Sequence, residues 1–439
     1  MTRWRSGAFA FAFAVAVLAV CSACGTRGPA RPAVVQPQPS IPIVFPPAAG
    51  ARLAAGSPLV RGMDLFGGDL APFVGRSGTN TVFSPFSIST ALSLVRAGAS
   101  GPTATEIDRV AHYPSTGRDA SFSTLLHDIA TTTAAPPVPT ASPSEDSGTG
   151  TPPRPVVTIA DGVFTQDEKQ LSQSFVNTLS SSYGASVQTV DFTKPSANEV
   201  LNAWVTEHTA HRITKLFDQL GPGTQLVLAN AVYLKAAWAI PFGHQDTTPA
   251  PFHTTTNATV QVPTMHQTLD QSYAETRDWQ AVELPYAGGT LAMLLVLPRT
   301  ATDPTPLLHG ATLEKARASL SGKLVELSLP TWKTTSNVDL LPILERLGIV
   351  TAFRPAADFS RIAPGLFIGQ AVHRATITVD EDGTEAAAVT ALGFVTGAAG
   401  PSPVPVVMKL DHPFAYAVID TKYGTPLFTG VVSNPAQRP

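Results

Sequence analysis

Cysteine is almost missing from this chain: there are two in 439 residues, Cys21 and Cys24, both near the N-terminus. Residues beyond 24 cannot pair by disulfides, so the fold is not a disulfide-stapled scaffold. Charge is scarce as well. Asp, Glu, Lys and Arg make up 14% of the residues and the net charge is −3. Nucleic acid needs a basic face, and none is available, so no nucleic-acid partner is expected. The chain has no G-x-S-x-G elbow, no H-E-x-x-H and no phosphate-cradling glycine loop. That removes common signatures of hydrolases, zinc proteases and nucleotide enzymes. Between Arg374 and Lys409 there is neither lysine nor arginine.

What is present is ample apolar content, 44% of the residues, enough for one large or two medium domains. Arg3 and Arg5 precede an apolar run from Ala8 to Val20, too short for a membrane span but suited to a targeting segment over residues 1–24. Cys21-Ser22-Ala23-Cys24 spells C-x-x-C. It ends a signal-like core with no βαβ context, which argues against a redox or metal role. The segment resembles a bacterial lipoprotein signal with Cys24 as the acylated residue and Cys21 as the alternate; ordinary secretion is the other reading. Either way the protein is expected to work outside the cytoplasm, touching a membrane only through such an anchor. Residues 25–56 form a Pro/Ala-rich tether, a semi-rigid spacer. A second low-complexity stretch, 132–155, holds seven prolines among Ser, Thr and Gly and is expected to be a disordered surface insertion.

Regular structure is expected over 57–436. Leu59, Met63, Phe66 and Leu70 mark one helical face. Ser84-Pro85 follows a short strand as N-cap and first helical residue, with Ile88, Ala91, Leu92 and Val95 continuing that helix. Thr103-x-x-Glu106 and Ser196-x-x-Glu199 read as helix caps, with Val200, Trp204 and Val205 facing inward on the second helix. Leu171, Phe175 and Leu179 mark a helix closing at Gly184. The run Thr224–Ile240 is apolar nearly throughout, as a strand covered on both faces should be. A helix is expected over Val338–Leu347. His208, His211 and Glu207 lie close on one helix, but with no further ligand evident, a solvated face is the better reading and no metal or cofactor is expected.

The most informative stretch is Thr376–Pro405. Ile377 and Val379 alternate with polar residues as a strand, and Glu381-Asp382-Gly383 is a turn. From Thr384 the period-two faces are Thr384, Ala386, Ala388, Thr390, Leu392, Phe394 against Glu385, Ala387, Val389, Ala391, Gly393, Val395. The first face could be buried in a sheet, yet the segment then dissolves into Gly, Ala, Ser and Pro. Half strand and half loop, it reads as a segment with two states.

VDEDGTEAAAVTA, 379–391, resembles the hinge of a serpin reactive-centre loop. NTVFSPFSISTALSLVRAGASGPTATEI, 80–107, is similar to the first serpin signature, and the likeness runs over roughly residues 59–435. It implies an α+β serpin fold: a single large domain with a central mixed β-sheet, two further sheets, surrounding helices and an exposed reactive-centre loop at 381–405. It also implies an inhibitor of serine proteases, not an enzyme, working as a monomer. A protease cleaves the loop, and the N-terminal part of the loop inserts as a new central strand, trapping the acyl-enzyme. The hinge would be Glu381, Asp382, Gly383, Thr384, Glu385, Ala386, Ala387 and Ala388, small enough to enter a sheet. Ser84, Ser87, Asn230 and His373 resemble the polar cluster under the sheet, where the strands part.

Carrying the family register forward from Glu381 puts the reactive bond between Gly397 and Ala398. Counting back from Pro413-Phe414 puts it after Ser402. Thr396, Ala399 and Phe394 are alternates. With no basic residue in the loop, an elastase-like or subtilisin-like serine protease fits best, and a cysteine protease remains an option. The other reading is a non-inhibitory serpin acting as a surface binding or structural lipoprotein.

Overall fold

Ser57 accepts a hydrogen bond from the Val60 backbone N–H and opens the first helix, α1 (Pro58–Val74), whose Leu59, Met63, Phe66 and Leu70 are all buried. The computed structural model describes residues 53–438 except 76–77, 134–154, 168, 186, 210, 212, 222, 257 and 385–403. The expectations about Cys21, Cys24, the tether, most of the proline-rich insertion, and the loop from Glu385 to Ser402 lie outside those residues.

After α1 come β1 (Thr81–Phe83), α2 (Pro85–Ala97), α3 (Gly101–Val110) and α4 (Arg118–Thr132). Ser84 caps α2 through its side chain and Pro85 opens the helix, because proline has no N–H to leave unpaired there. Thr103-x-x-Glu106 is not a capping box. α3 starts two residues earlier, at Gly101-Pro102, so both side chains fall inside the helix and reach elsewhere. Thr103 Oγ accepts from Asp358 N–H at 2.9 Å, and Glu106 accepts from Val350 and Thr351.

Next are β2 (Val156–Gln166), α5 (Gln173–Thr178) running into a π-turn Leu179–Tyr183 closed by Gly184, β3 (Val187–Val190) and α6 (Ala197–His208). Ser196 holds the N-cap position of α6 without a side-chain bond. Its buried face is Ala197, Leu201 and Val205, at i, i+4 and i+8. Val200 is 46% exposed, contrary to the inward orientation expected for it, because it sits one residue round the helix from that stripe.

The remaining elements are β4 (Leu226–Ala237), β5 (Thr248–His253), β6 (Thr259–Glu275), β7 (Trp279–Pro285), β8 (Leu291–Pro298), α7 (Gly310–Ala318), β9 (Ser321–Pro330), β10 (Trp332–Asp339), α8 (Leu341–Leu347), β11 (Ile368–Val379), β12 (Gly383–Thr384), β13 (Val406–Lys409), β14 (Phe414–Asp420) and β15 (Pro426–Val432). The helix expected from Val338 begins at Leu341: Val338 and Asp339 still pair with β11, and Pro342 opens the helical turn.

Two hydrogen-bonded sheets result. The first runs β10-β11-β12-β4-β2-β3 and is mixed, with β11 parallel to β4 and β10 antiparallel to β11. The second runs β1-β15-β14-β8-β7-β6-β9-β13, with β5 beside β6. The two smaller sheets expected join into this path through β6, whose start pairs with β5 and whose end pairs with β7.

β4 explains its own composition. Leu226, Leu228, Val232, Leu234 and Ala236 face the main core, while Val227, Ala229 and Ala231 face a second core under α6. A strand covered twice needs no polar alternation. Asn230 is the exception on the main-core side, and it marks the site.

Candidate functional site: a sealed seam and a docked hinge

The seam is the parallel pairing of β11 with β4, from Ile368–Leu226 to Thr376–Tyr233, with a bulge between Ile368 and Gln370 and one continuous register from Gln370–Val227 onward. One row across it is polar: Asp161 on β2 lies opposite Asn230 on β4, and Asn230 opposite His373 on β11. Beneath the row sits the N-terminus of α2, because Ser84 and Ser87 turn their polar groups into the sheet.

The bonds form one chain. Ser84 N–H donates to His373 Nε2 at 3.1 Å, which fixes the imidazole proton on Nδ1, and that N–H donates to Asn230 Oδ1. Asn230 Nδ2 donates to Ser87 Oγ at 2.5 Å and to Asp161 Oδ1. Ser87 Oγ donates to Asp161 Oδ1 at 3.1 Å, and Ser87 N–H to Ser84 Oγ at 3.0 Å. Ser84, Ser87, Asn230 and His373 thus meet in one hydrogen-bonded cluster. Burial holds the His373 imidazole down at about 3, so it is neutral. Burial pushes the Asp161 carboxyl up to about 8, against hydrogen bonds from Ser87 and Asn230 that pull it down.

α2 is a clasp. Through Ser87 it holds the β2–β4 side of the seam, and through Ser84 it holds the β11 side. A new strand between β4 and β11 would move them apart by about 4.8 Å. That displacement must break the Asn230–His373 bond and one side of the clasp.

At the top the seam is already parted. β11 ends in a tight turn, Asp380 N–H to Gly383 C=O at 3.0 Å, and β12 re-enters between the two strands. Thr384 pairs with Val379 on one side and Ala236 on the other; Gly383 pairs with Ala237. Gly383 has φ +146°, and a Cβ there would lie 2.2 Å from Ala236 C=O, so only glycine fits. Thr384 is fully buried, its hydroxyl 2.7 Å from Tyr286 Oη.

The turn is bolted to the segment after β4. Trp238 gives its indole N–H to Asp380 C=O and its backbone N–H to Asp382 C=O, and Phe242 N–H bonds Glu381 C=O, all at 2.9 Å. Trp238 stacks on Tyr286 with centroids 4.6 Å apart. His244 lies 3.5 Å from Asp382 and 3.9 Å from Glu381.

Sequence reasoning missed Asp161, Tyr286 and the hinge contacts of Trp238. Only Asp161 left a signal, a lone carboxylate within an otherwise strand-like run. His208 and His211 do not share a helix face: α6 ends at His208, which stacks on Trp204, and His211 lies beyond with φ +60°. Among the described residues no cluster of three or more His, Cys, Asp or Glu could hold a metal ion.

A mixed sheet whose parallel seam is closed by a buried polar row and parted at its upper end by a short docked strand is the arrangement to set beside known proteins. A family model described as "Serpin (serine protease inhibitor)" matches residues 63–435. An uncharacterized serpin-like protein of Thermococcus kodakarensis is 34% identical over 86% of this chain and 86% of its own length. In solved structures, the thermophilic serpin tengpin in its native state superposes with a TM-score of 0.74 at 24% identity, covering 85% of this chain and 94% of that one. Human thyroxine-binding globulin complexed with thyroxine gives 0.72 at 25%, covering 87% and 100%. The chain belongs to the serpin family. No helix among the described residues is long and apolar enough to cross a membrane.

Proposed function

We propose that this serpin inhibits an extracytoplasmic serine protease by offering residues 381–405 as bait and inserting the cleaved loop between β4 and β11. The docking of Gly383 and Thr384 carries this reading: they occupy the first two positions of the new strand. Continuing either register along the chain brings Thr390 opposite both Asn230 and His373. The incoming strand would thus place a hydroxyl in the polar row it splits. Insertion exchanges one parallel pairing for two antiparallel ones, which are the stronger per residue, and each added hydrogen bond contributes about 1 kcal/mol net.

The hinge continues in the same manner, with Glu385 facing out and Ala386, Ala387 and Ala388 passing between strands without steric cost. The reactive bond falls between Gly397 and Ala398, with Thr396, Ala399, Phe394 and Ser402 as the alternates. Small residues and the lack of Lys or Arg point to an elastase-like or subtilisin-like protease, whose binding needs no cation. Cys24, or Cys21, would carry the lipid that tethers the domain through residues 25–56. A binding serpin without trapping activity is the second reading, favoured by the likeness to a protein solved with a bound small molecule.

Mixing the protein with an elastase or a subtilisin separates the two. The inhibitor gives an adduct that survives SDS, and Thr384→Arg, forcing a long cation into the buried slot beside Tyr286, converts it to a substrate. Cleavage without adduct in the unaltered protein favours the binding reading.

A further inference from the structure

Asp161 stands apart in the polar row. Its Oδ1 accepts from Ser87 and Asn230, but its Oδ2 is buried with no hydrogen-bond partner. An unpartnered buried oxygen is tolerable on a neutral acid and costly on a carboxylate. Compensation is absent among the described groups around it. α2 presents Ser84 and Ser87, β4 presents Asn230, and β11 presents His373 beyond it. Gly162, next along β2, packs against Trp204 of α6 on the opposite face, where His208 stacks on the indole. Among the described residues no lysine or arginine acts on the carboxyl.

We infer that Asp161 and His373 are a neutral acid–base couple bridged by Asn230, and that opening the seam turns them into an aspartate and a histidinium, so that Asp161 sets the pH profile of strand insertion. This rests on the insertion reading above. Asp161 is a positioning residue in that process, acting through the α2 clasp and never touching the protease.

The profile follows from the two groups' opposite signs. Closed, Asp161 keeps its proton up to about pH 8; in water it titrates at about 3.9. Opening that draws Ser87 of α2 off the β2–β4 side lets water reach Asp161 and releases its proton between those values, so rising pH favours it. Buried His373 stays neutral down to about 3, whereas in water it titrates at about 6.5. Opening takes up a proton between those values, and falling pH favours it. From about pH 4 to 6.5 the two effects cancel, and above that only the Asp161 release remains.

The test follows incorporation of a capped synthetic peptide of sequence Ala386–Phe394, which has no titrating group, into the intact full chain from pH 5 to 9. The unaltered protein should insert it at a rate level to about pH 6.5, then rising by up to about tenfold per pH unit to about 8. Asp161→Asn, which keeps the shape, should lose that rise and instead slow as pH climbs from 5 to 6.5. His373→Gln should accelerate across the whole span from 5 to 8. An Asp161→Asn profile matching the unaltered one overturns the inference while leaving insertion intact. Failure of every form to take up the peptide, together with no gain in melting temperature after loop cleavage, overturns the insertion reading and this inference with it.

Discussion

Gly383 is the residue on which the hinge turns. Its positive φ and the 2.2 Å approach to Ala236 C=O leave no room for a methyl group. Gly383→Ala should cost about 1–3 kcal/mol of strain, and in practice should expel Thr384 from its slot. The expected readout is a lower melting temperature of the native protein together with faster amide exchange at Thr384; unchanged exchange would refute the docking argument. His412 makes a different residue-scale case. One ring nitrogen is 2.8 Å from Asp411 Oδ1 and the other 2.7 Å from Pro298 C=O, an arrangement satisfied only when both carry protons. Burial pulls its pKa down, but the bonds to Asp411 and Pro298 outweigh burial and hold it above the usual histidine value. Its stabilising effect is therefore complete below about pH 6.5 and lost as pH rises through the raised value. The melting-temperature advantage of the unaltered protein over His412→Gln should shrink across that window; a difference independent of pH would count against the charged pair.

Elements show where local signals are overruled. The Thr103 and Glu106 spacing looks like a helix cap, but Gly101-Pro102 starts α3 earlier, and the glutamate instead caps the 3-10 turn at Thr351–Phe353. It accepts from Val350 N–H, Thr351 N–H and Thr351 Oγ at 2.8, 2.7 and 2.6 Å. Burial raises its pKa, yet those bonds win and lower it, so this anchor weakens as pH falls through the lowered value. Glu106→Ala should destabilise the fold by about 1–3 kcal/mol, read as a drop in denaturant midpoint with unchanged slope. A null effect would mean the turn is held by its neighbours alone. The covered stripe of α6 leaves out Val200 for a related reason: period 3.6 blurs which edge of an apolar stripe is covered until the sheet beneath it is known.

At the scale of the molecule, the proposed insertion requires a native state less stable than one containing an additional strand. Cutting the loop with a protease that is then removed should raise the melting temperature; equal values for cut and intact protein would end the insertion account. The chain by itself determined a good deal of this. The apolar stripe of α1, the Ser84-Pro85 helix start, the doubly covered β4 and the strand-then-turn at 377–383 all follow from short-range periodicity and backbone preference, which act through nearest neighbours. What only the tertiary structure decided is which further distant groups meet: Asp161 in the row of Asn230 and His373, Tyr286 under Thr384, Trp238 bolting the turn. Those contacts join segments 69 to 143 residues apart. Register between strands is set by the packing of whole faces, a quantity no local stretch of sequence contains.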